Sequence, residues 1–100
     1  MSDIKTDPAG LLNAGFIATT YAGQEGAFFV RRTRASDMPY LGKQIDGDFI
    51  LEDSIVVTEV IPNGRVQVSI PETGYLEEPV DAISEEGQGA LRDCLAANPV

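Results

Sequence analysis

Ile61-Pro62-Asn63-Gly64-Arg65 lies between two β-branched runs, Ile55 to Ile61 and Val66 to Ile70. No other stretch constrains the chain as tightly. An Asn-Gly step flanked by such runs reads as a β-hairpin. A two-residue Asn63-Gly64 turn would pair Val57, Glu59 and Ile61 with Ile70, Val68 and Val66, leaving Glu59 on the apolar face. A three-residue loop, Pro62-Asn63-Gly64, pairs Val56, Thr58 and Val60 with Ile70, Val68 and Val66. Its other face then reads Val57, Glu59, Arg65, Gln67 and Ser69, which separates polar from apolar better. It also puts proline at a favoured turn position and glycine where φ must be positive. A one-residue slip would reverse every side chain, so the pattern selects the three-residue loop.

Other elements extend outward from this hairpin. Residues 1–7 read as a polar lead. Asp7-Pro8 reads as an N-cap followed by proline at the first helical position, with a helical turn over Ala9 to Ala14 and Gly15 as its stop. Phe16 to Ala22 reads as a strand, Gly23-Gln24-Glu25-Gly26 as a turn, and Ala27 to Arg34 as the returning strand. On that strand Phe28 and Val30 share a face with Arg32 and Arg34, so its apolar half sits in the core and its arginine half runs to the rim. Ala35 to Asp48 is irregular, broken by Pro39, Gly42 and Gly47, yet it carries Met38, Tyr40, Leu41 and Ile45, so it is expected to fold back over the core. Phe49 to Ile61 holds one strand or two, with Glu52-Asp53-Ser54 as a bend. Pro71 to Gly74 is a second turn, and Tyr75 to Val80 a short strand that Pro79 confines to an edge or to its end. Ser84 reads as the N-cap of a C-terminal helix over 84–98, with Glu85 and Glu86 at the positive end of its dipole. Gly87 and Gly89 predict a frayed or late start. Leu91, Cys94 and Leu95 share one helical face.

The 100 residues form one expected domain of mainly β (α+β) class. Its architecture is a small antiparallel five-stranded barrel or curled sheet, with a short N-terminal helical turn and a C-terminal helix.

From Phe28 to Ile83, about half the chain, the order of elements resembles a bacterial SH3-like domain. The matching pieces are Asp46-Gly47-Asp48, the Pro62-Asn63-Gly64 hairpin, and Val66 to Ile70 followed by Gly74-Tyr75-Leu76. The chain has no tryptophan, whereas one commonly follows the last glycine in that family. Tyr40 and Tyr75 are the only candidates to line the family's aromatic groove. The resemblance implies a fold and says little about function.

Charge is unevenly distributed. The net charge is −9. Residues 1–45 hold four acids and five bases, residues 46–90 eleven acids against Arg65 alone, and Arg92 and Asp93 cancel. Such a surface repels phosphates, which disfavours direct nucleic-acid binding, and it steers a basic protein partner inward. Solubility alone would also explain it. Glu77, Glu78, Asp81, Glu85 and Glu86 crowd around a strand end and a helix start, and Glu59, Glu72, Tyr40 and Leu41 join them as candidate partner-binding residues. A charged edge that discourages sheet-to-sheet pairing is the structural alternative for that group. Arg31, Arg32 and Arg34 form the one basic cluster. Internal ion pairs are one reading of it, and a grip on a carboxylate or phosphate is the other.

Several chemistries drop out. Without histidine there is no Ser-His or Cys-His nucleophile and no imidazole zinc site. Cys94 sits among leucines as a buried small hydrophobe. Neither Gly23-Gln24-Glu25-Gly26 nor Gly42-Lys43-Gln44 fits a phosphate cradle. Asp46-Gly47-Asp48 with Glu52-Asp53 lacks EF-hand spacing and reads as a solvated turn. No enzyme activity, cofactor or metal is expected. The start lacks a signal-peptide pattern, no apolar run approaches the about 18 residues of a membrane span, and a lone cysteine makes no intrachain disulfide. Together these point to the cytoplasm. Two functional expectations follow. The first is an acidic regulator or inhibitor docking on a basic surface of a larger protein, of the kind phages and plasmids aim at nucleic-acid machinery. The second is an SH3-like interaction module that binds a peptide or subunit through residues 35–48. An exposed edge strand also offers a route to a homodimer.

Overall fold

In the computed structural model, which describes residues 3–41 and 53–100, an antiparallel meander carries one helix across its face. Its strands are β1 (Ile17–Thr19), β2 (Phe28–Arg34), β3 (Ile55–Val60), β4 (Arg65–Ile70), β5 (Tyr75–Leu76) and β6 (Val80–Asp81). They lie in the order β1-β2-β3-β4-β5, with β6 also on β4. Helix α1 (Pro8–Asn13) precedes the sheet and α2 (Glu85–Ala96) follows it.

The β3–β4 hairpin takes the three-residue register. Val60 lies opposite Val66 and Thr58 opposite Val68. Ile61 N–H donates to Arg65 O and Gly64 N–H donates to Ile61 O, both at 2.9 Å, and Gly64 has φ +82°, where a side chain would be strained. This register sends Val56, Thr58, Val60, Val66, Val68 and Ile70 to one face, all buried, and Glu59 to the other.

That face makes the core with α2. Ala35, Met38, Leu41, Val56, Val68, Ile70 and Ala97 form one cluster, and Leu11, Phe16, Val60, Val66, Ala82, Leu91 and Cys94 another. Each fully buried aliphatic side chain contributes roughly 1.5–3 kcal/mol over exposure.

The last strand differs from its expected form. Tyr75 lies opposite Ile70 and Leu76 opposite Ser69, but Val80 lies opposite Val66. Five steps along this strand therefore match four along β4, leaving one extra residue beyond Glu77, whose N–H still donates to Val68 O. This is a β-bulge at Glu78-Pro79, where proline has no N–H to give the ladder. It splits the expected Tyr75-to-Val80 strand into β5 and β6 and interrupts that sheet edge. The opposite edge is short as well. The pairing of β1 with β2 spans three residue pairs, after which Val100 N–H donates to Arg32 O at 2.9 Å.

Helix α2 begins at Glu85, which corrects the late start expected from its glycines. Ser84 Oγ accepts from Gly87 N–H at 3.0 Å. A Cβ on Gly87 would lie 2.1 Å from Asp81 O, so this glycine lets the first turn rest against the β6 backbone. Pro8 opens α1 as expected, although the Asp7 side chain makes no cap hydrogen bond.

Among the described residues no helix is long and apolar enough to cross a membrane. The possible strand over 49–51 and the turn at Asp46-Gly47-Asp48 lie outside the described residues.

Candidate functional site

The site is built on a stripe of α2. Glu86, Ala90, Asp93 and Ala97 stand at i, i+4, i+7 and i+11, which places them along one side of the helix. Between the N-terminal half of this stripe and the β4–β5 edge lies a groove of about 470 Å³. Met38, Leu41, Val68 and Ala90 supply its apolar lining, and Tyr40, Tyr75, Glu77, Glu86, Gly89 and Asp93 complete it.

Asp93 holds one wall in position. It is buried, and its two carboxylate oxygens accept from successive amides, Tyr40 N–H at 2.7 Å and Leu41 N–H at 3.0 Å. Two charge-assisted bonds to neighbouring main-chain donors fix the direction of this segment. Leu41 then points into the core at 4% exposure, while Tyr40 stands at the rim at 68%.

Tyr75 lines the groove with Tyr40, and its hydroxyl donates to Glu77 Oε2 at 3.0 Å. Its pKa rises from 10.0 to about 12, first through burial, then through the hydrogen bond and negative charge of Glu77, with Tyr40 adding to the effect. The phenol is therefore neutral and a donor throughout the physiological range. Glu86 has no hydrogen-bond partner among the described residues. A second, more open cleft is lined by Val80, Asp81, Ser84, Glu85 and Glu86. Glu86 belongs to both.

The expected site residues divide accordingly. Tyr40, Glu77 and Glu86 meet in the groove, and Asp81 and Glu85 join Glu86 in the neighbouring cleft. Glu78 is exposed beside them at the bulge and lines neither. Glu72 stands apart in the β4–β5 turn and accepts from Ile55 N–H at 3.3 Å. Glu59 lies on the opposite sheet face, across from Val30 and Gln67. Arg32 and Arg34 are exposed on that opposite face too.

Two candidates are buried. Leu41 packs in the core and meets the surface only as part of the groove lining. Arg31, at 7% exposure, points under α2 instead of into solvent. Its Nε donates to Ala14 O at 3.2 Å and its Nη1 to Cys94 O, with Cys94 Sγ at 3.6 Å. Ala14 is the C-cap of α1 and Cys94 lies in the last turn of α2, so one guanidinium meets the negative ends of both helices. Among the described residues none of the three arginines forms an ion pair, and Arg31 instead caps main-chain carbonyls.

Cys94 is free and buried, as expected. Burial pushes its thiol pKa up, partly offset by contacts with Thr58 and Arg31. The Thr58 hydroxyl has no conventional hydrogen-bond partner, and the thiol is its polar neighbour.

Sequence reasoning missed Asp93 and Gln88. Gln88 Oε1 accepts from Ile4 N–H at 2.7 Å, while its Nε2 donates to Ile4 O and Ala82 O. Asp93 was legible in principle, since the stripe spacing sets it in line with Ala90 and Ala97.

Among the described residues no group of three acidic or thiol side chains converges closely enough to hold a metal ion. The groove therefore combines spaced carboxylates, two tyrosines and an apolar floor. Compared with known proteins, the chain matches no family model, no curated protein and no solved structure.

Proposed function

We propose that this chain is a small, acidic, non-enzymatic protein-binding regulator or inhibitor that docks on a basic surface of a larger protein. The observation that carries this reading is the sharing of Glu86 between the groove and the neighbouring cleft, which gathers Glu77, Asp81, Glu85 and Glu86 around the start of α2. Exposed carboxylates grouped this way speed encounter with a basic partner and reject acidic ones. A cytoplasmic site of action, and nucleic-acid machinery as the target of a phage or plasmid product, belong to the same reading by analogy of size and charge.

The experiment is to capture the partner from an extract of the source cells and measure Kd against salt. Affinity should fall as salt rises, and replacing Glu77, Glu78, Asp81, Glu85 and Glu86 with glutamine or asparagine should flatten that dependence. An affinity indifferent to ionic strength would overturn the reading.

A second reading is favoured by Tyr40, which stands exposed on the groove rim with Tyr75 lining the same groove. Here the domain is an SH3-like assembly module that takes a peptide or subunit through the 35–48 stretch. Tyr40→Ala is the clean test, because Leu41→Ala would damage the core. An affinity for the captured partner that is indifferent to salt in the parent and falls in Tyr40→Ala would support this module over the acidic regulator.

A further inference from the structure

We propose that the groove between α2 and the β4–β5 edge is a seat for an arginine side chain of the basic partner. The inference rests on the proposed docking function and names the chemistry of its contact.

Three features favour arginine. The groove joins an apolar floor to carboxylates that stand too far apart to close on a metal ion. A guanidinium is flat, weakly hydrated on its faces and rich in in-plane donors, so it suits an apolar floor with acids at the rim. Tyr40 and Tyr75 both line the groove, and an aromatic ring is a favourable neighbour for such a cation. Lysine, a compact and strongly hydrated charge, matches the acids but not the floor. Among the described residues no lysine or arginine lines the groove.

Asp93 acts here as a positioning residue. Both its oxygens are engaged by the Tyr40 and Leu41 amides, and it sets where Tyr40 stands without being free to meet the guest. Gly89 leaves the wall open, since a Cβ built there has nothing within 4 Å. A larger side chain at this helix position would project into the groove without changing the net charge.

The test uses the whole chain, isotope-labelled, titrated with three capped peptides of equal length made of arginine, lysine or glutamate, with amide shifts read by NMR. The arginine peptide should move the amides of Tyr40, Leu41, Gly89 and Ala90 and bind more tightly than the lysine peptide. Gly89→Leu and Tyr40→Ala should each weaken the arginine peptide about tenfold while leaving the spectrum otherwise folded. If arginine and lysine peptides bind alike and Gly89→Leu binds as the parent does, the carboxylates act only as a diffuse field. The seat is then wrong, while acidic docking survives. If neither basic peptide binds even at low salt, both the seat and the docking function fall. Shifts confined to the Asp81–Glu85 cleft would likewise overturn the seat, since that cleft lacks the tyrosines.

Discussion

The two ends of α2 use charge in opposite ways. Under its last turn, the Arg31 guanidinium is enclosed and donates to carbonyls that end both helices, so its donors are turned to folding. Around its first turn, Glu85 and Glu86 are exposed, and neither has a hydrogen-bond partner among the described residues. The same helix dipole favours both arrangements, a cation at one end and anions at the other. What separates them is solvent. A buried charge must find polar partners within the protein or destabilise it, whereas an exposed carboxylate keeps its hydration and stays available to a partner. Exposed acids therefore stand at the N-terminal end of α2, and the arginine cluster loses its first member, Arg31, to the interior.

The largest way to break this contrast is Arg31→Ala. Ala14 O and Cys94 O would lose a charged donor and a void would open under α2. Denaturant unfolding should show a loss of about 3 kcal/mol or more, because hydrogen bonds to charged groups each contribute roughly 1.5–3 kcal/mol. A loss below about 1 kcal/mol would mean that the guanidinium is not the joint between the helices. Within the N-terminal end, two glycines should respond with opposite signs. Gly87→Ala drives a Cβ into Asp81 O and should destabilise by about 1–3 kcal/mol. Gly89→Ala meets nothing and should stabilise by roughly 0.5–1 kcal/mol through helix propensity. Thermal melts of the two variants side by side check this sign reversal.

The smallest effect concerns pH. The Tyr75 pKa is raised from 10.0 to about 12, so folding favours its protonated phenol. That contribution is complete below about pH 10 and is lost as pH rises toward about 12. Tyr75→Phe should flatten this alkaline decline, read as the unfolding midpoint across a pH series. An unchanged decline would assign it to other groups, of which the buried Cys94 thiol, also shifted upward, is the first to examine.

How much of this was legible varies from element to element. The hairpin register was, because alternation in β3 and β4 and the Pro62-Asn63-Gly64 turn agree on one answer. The Ser84 cap and the buried face of Leu91 and Cys94 were too, since both follow from spacing along one helix. The bulge at Glu78-Pro79 was half visible. Pro79 announced an interruption, but only pairing with β4 shows that the strand resumes one residue out of step. The candidate site was the least legible part. Tyr40 and Tyr75 are 35 positions apart in the chain, and only folding brings both to the groove that Glu86 and Asp93 complete.

By itself, then, the sequence determined the local matters: where strands and helices start and turn, which hairpin register holds, and that residues 46–90 carry the acid. Those follow from backbone preferences and side-chain alternation, which act over a few residues. Only the tertiary structure decided that Arg31 is an interior cap, that Leu41 is core, that Glu59 and Glu72 lie away from the other acids, and that Asp93 positions Tyr40. Each of these depends on which distant groups approach within hydrogen-bonding or packing distance. Composition cannot specify that, because the energy of a charge depends on its surroundings more than on its identity.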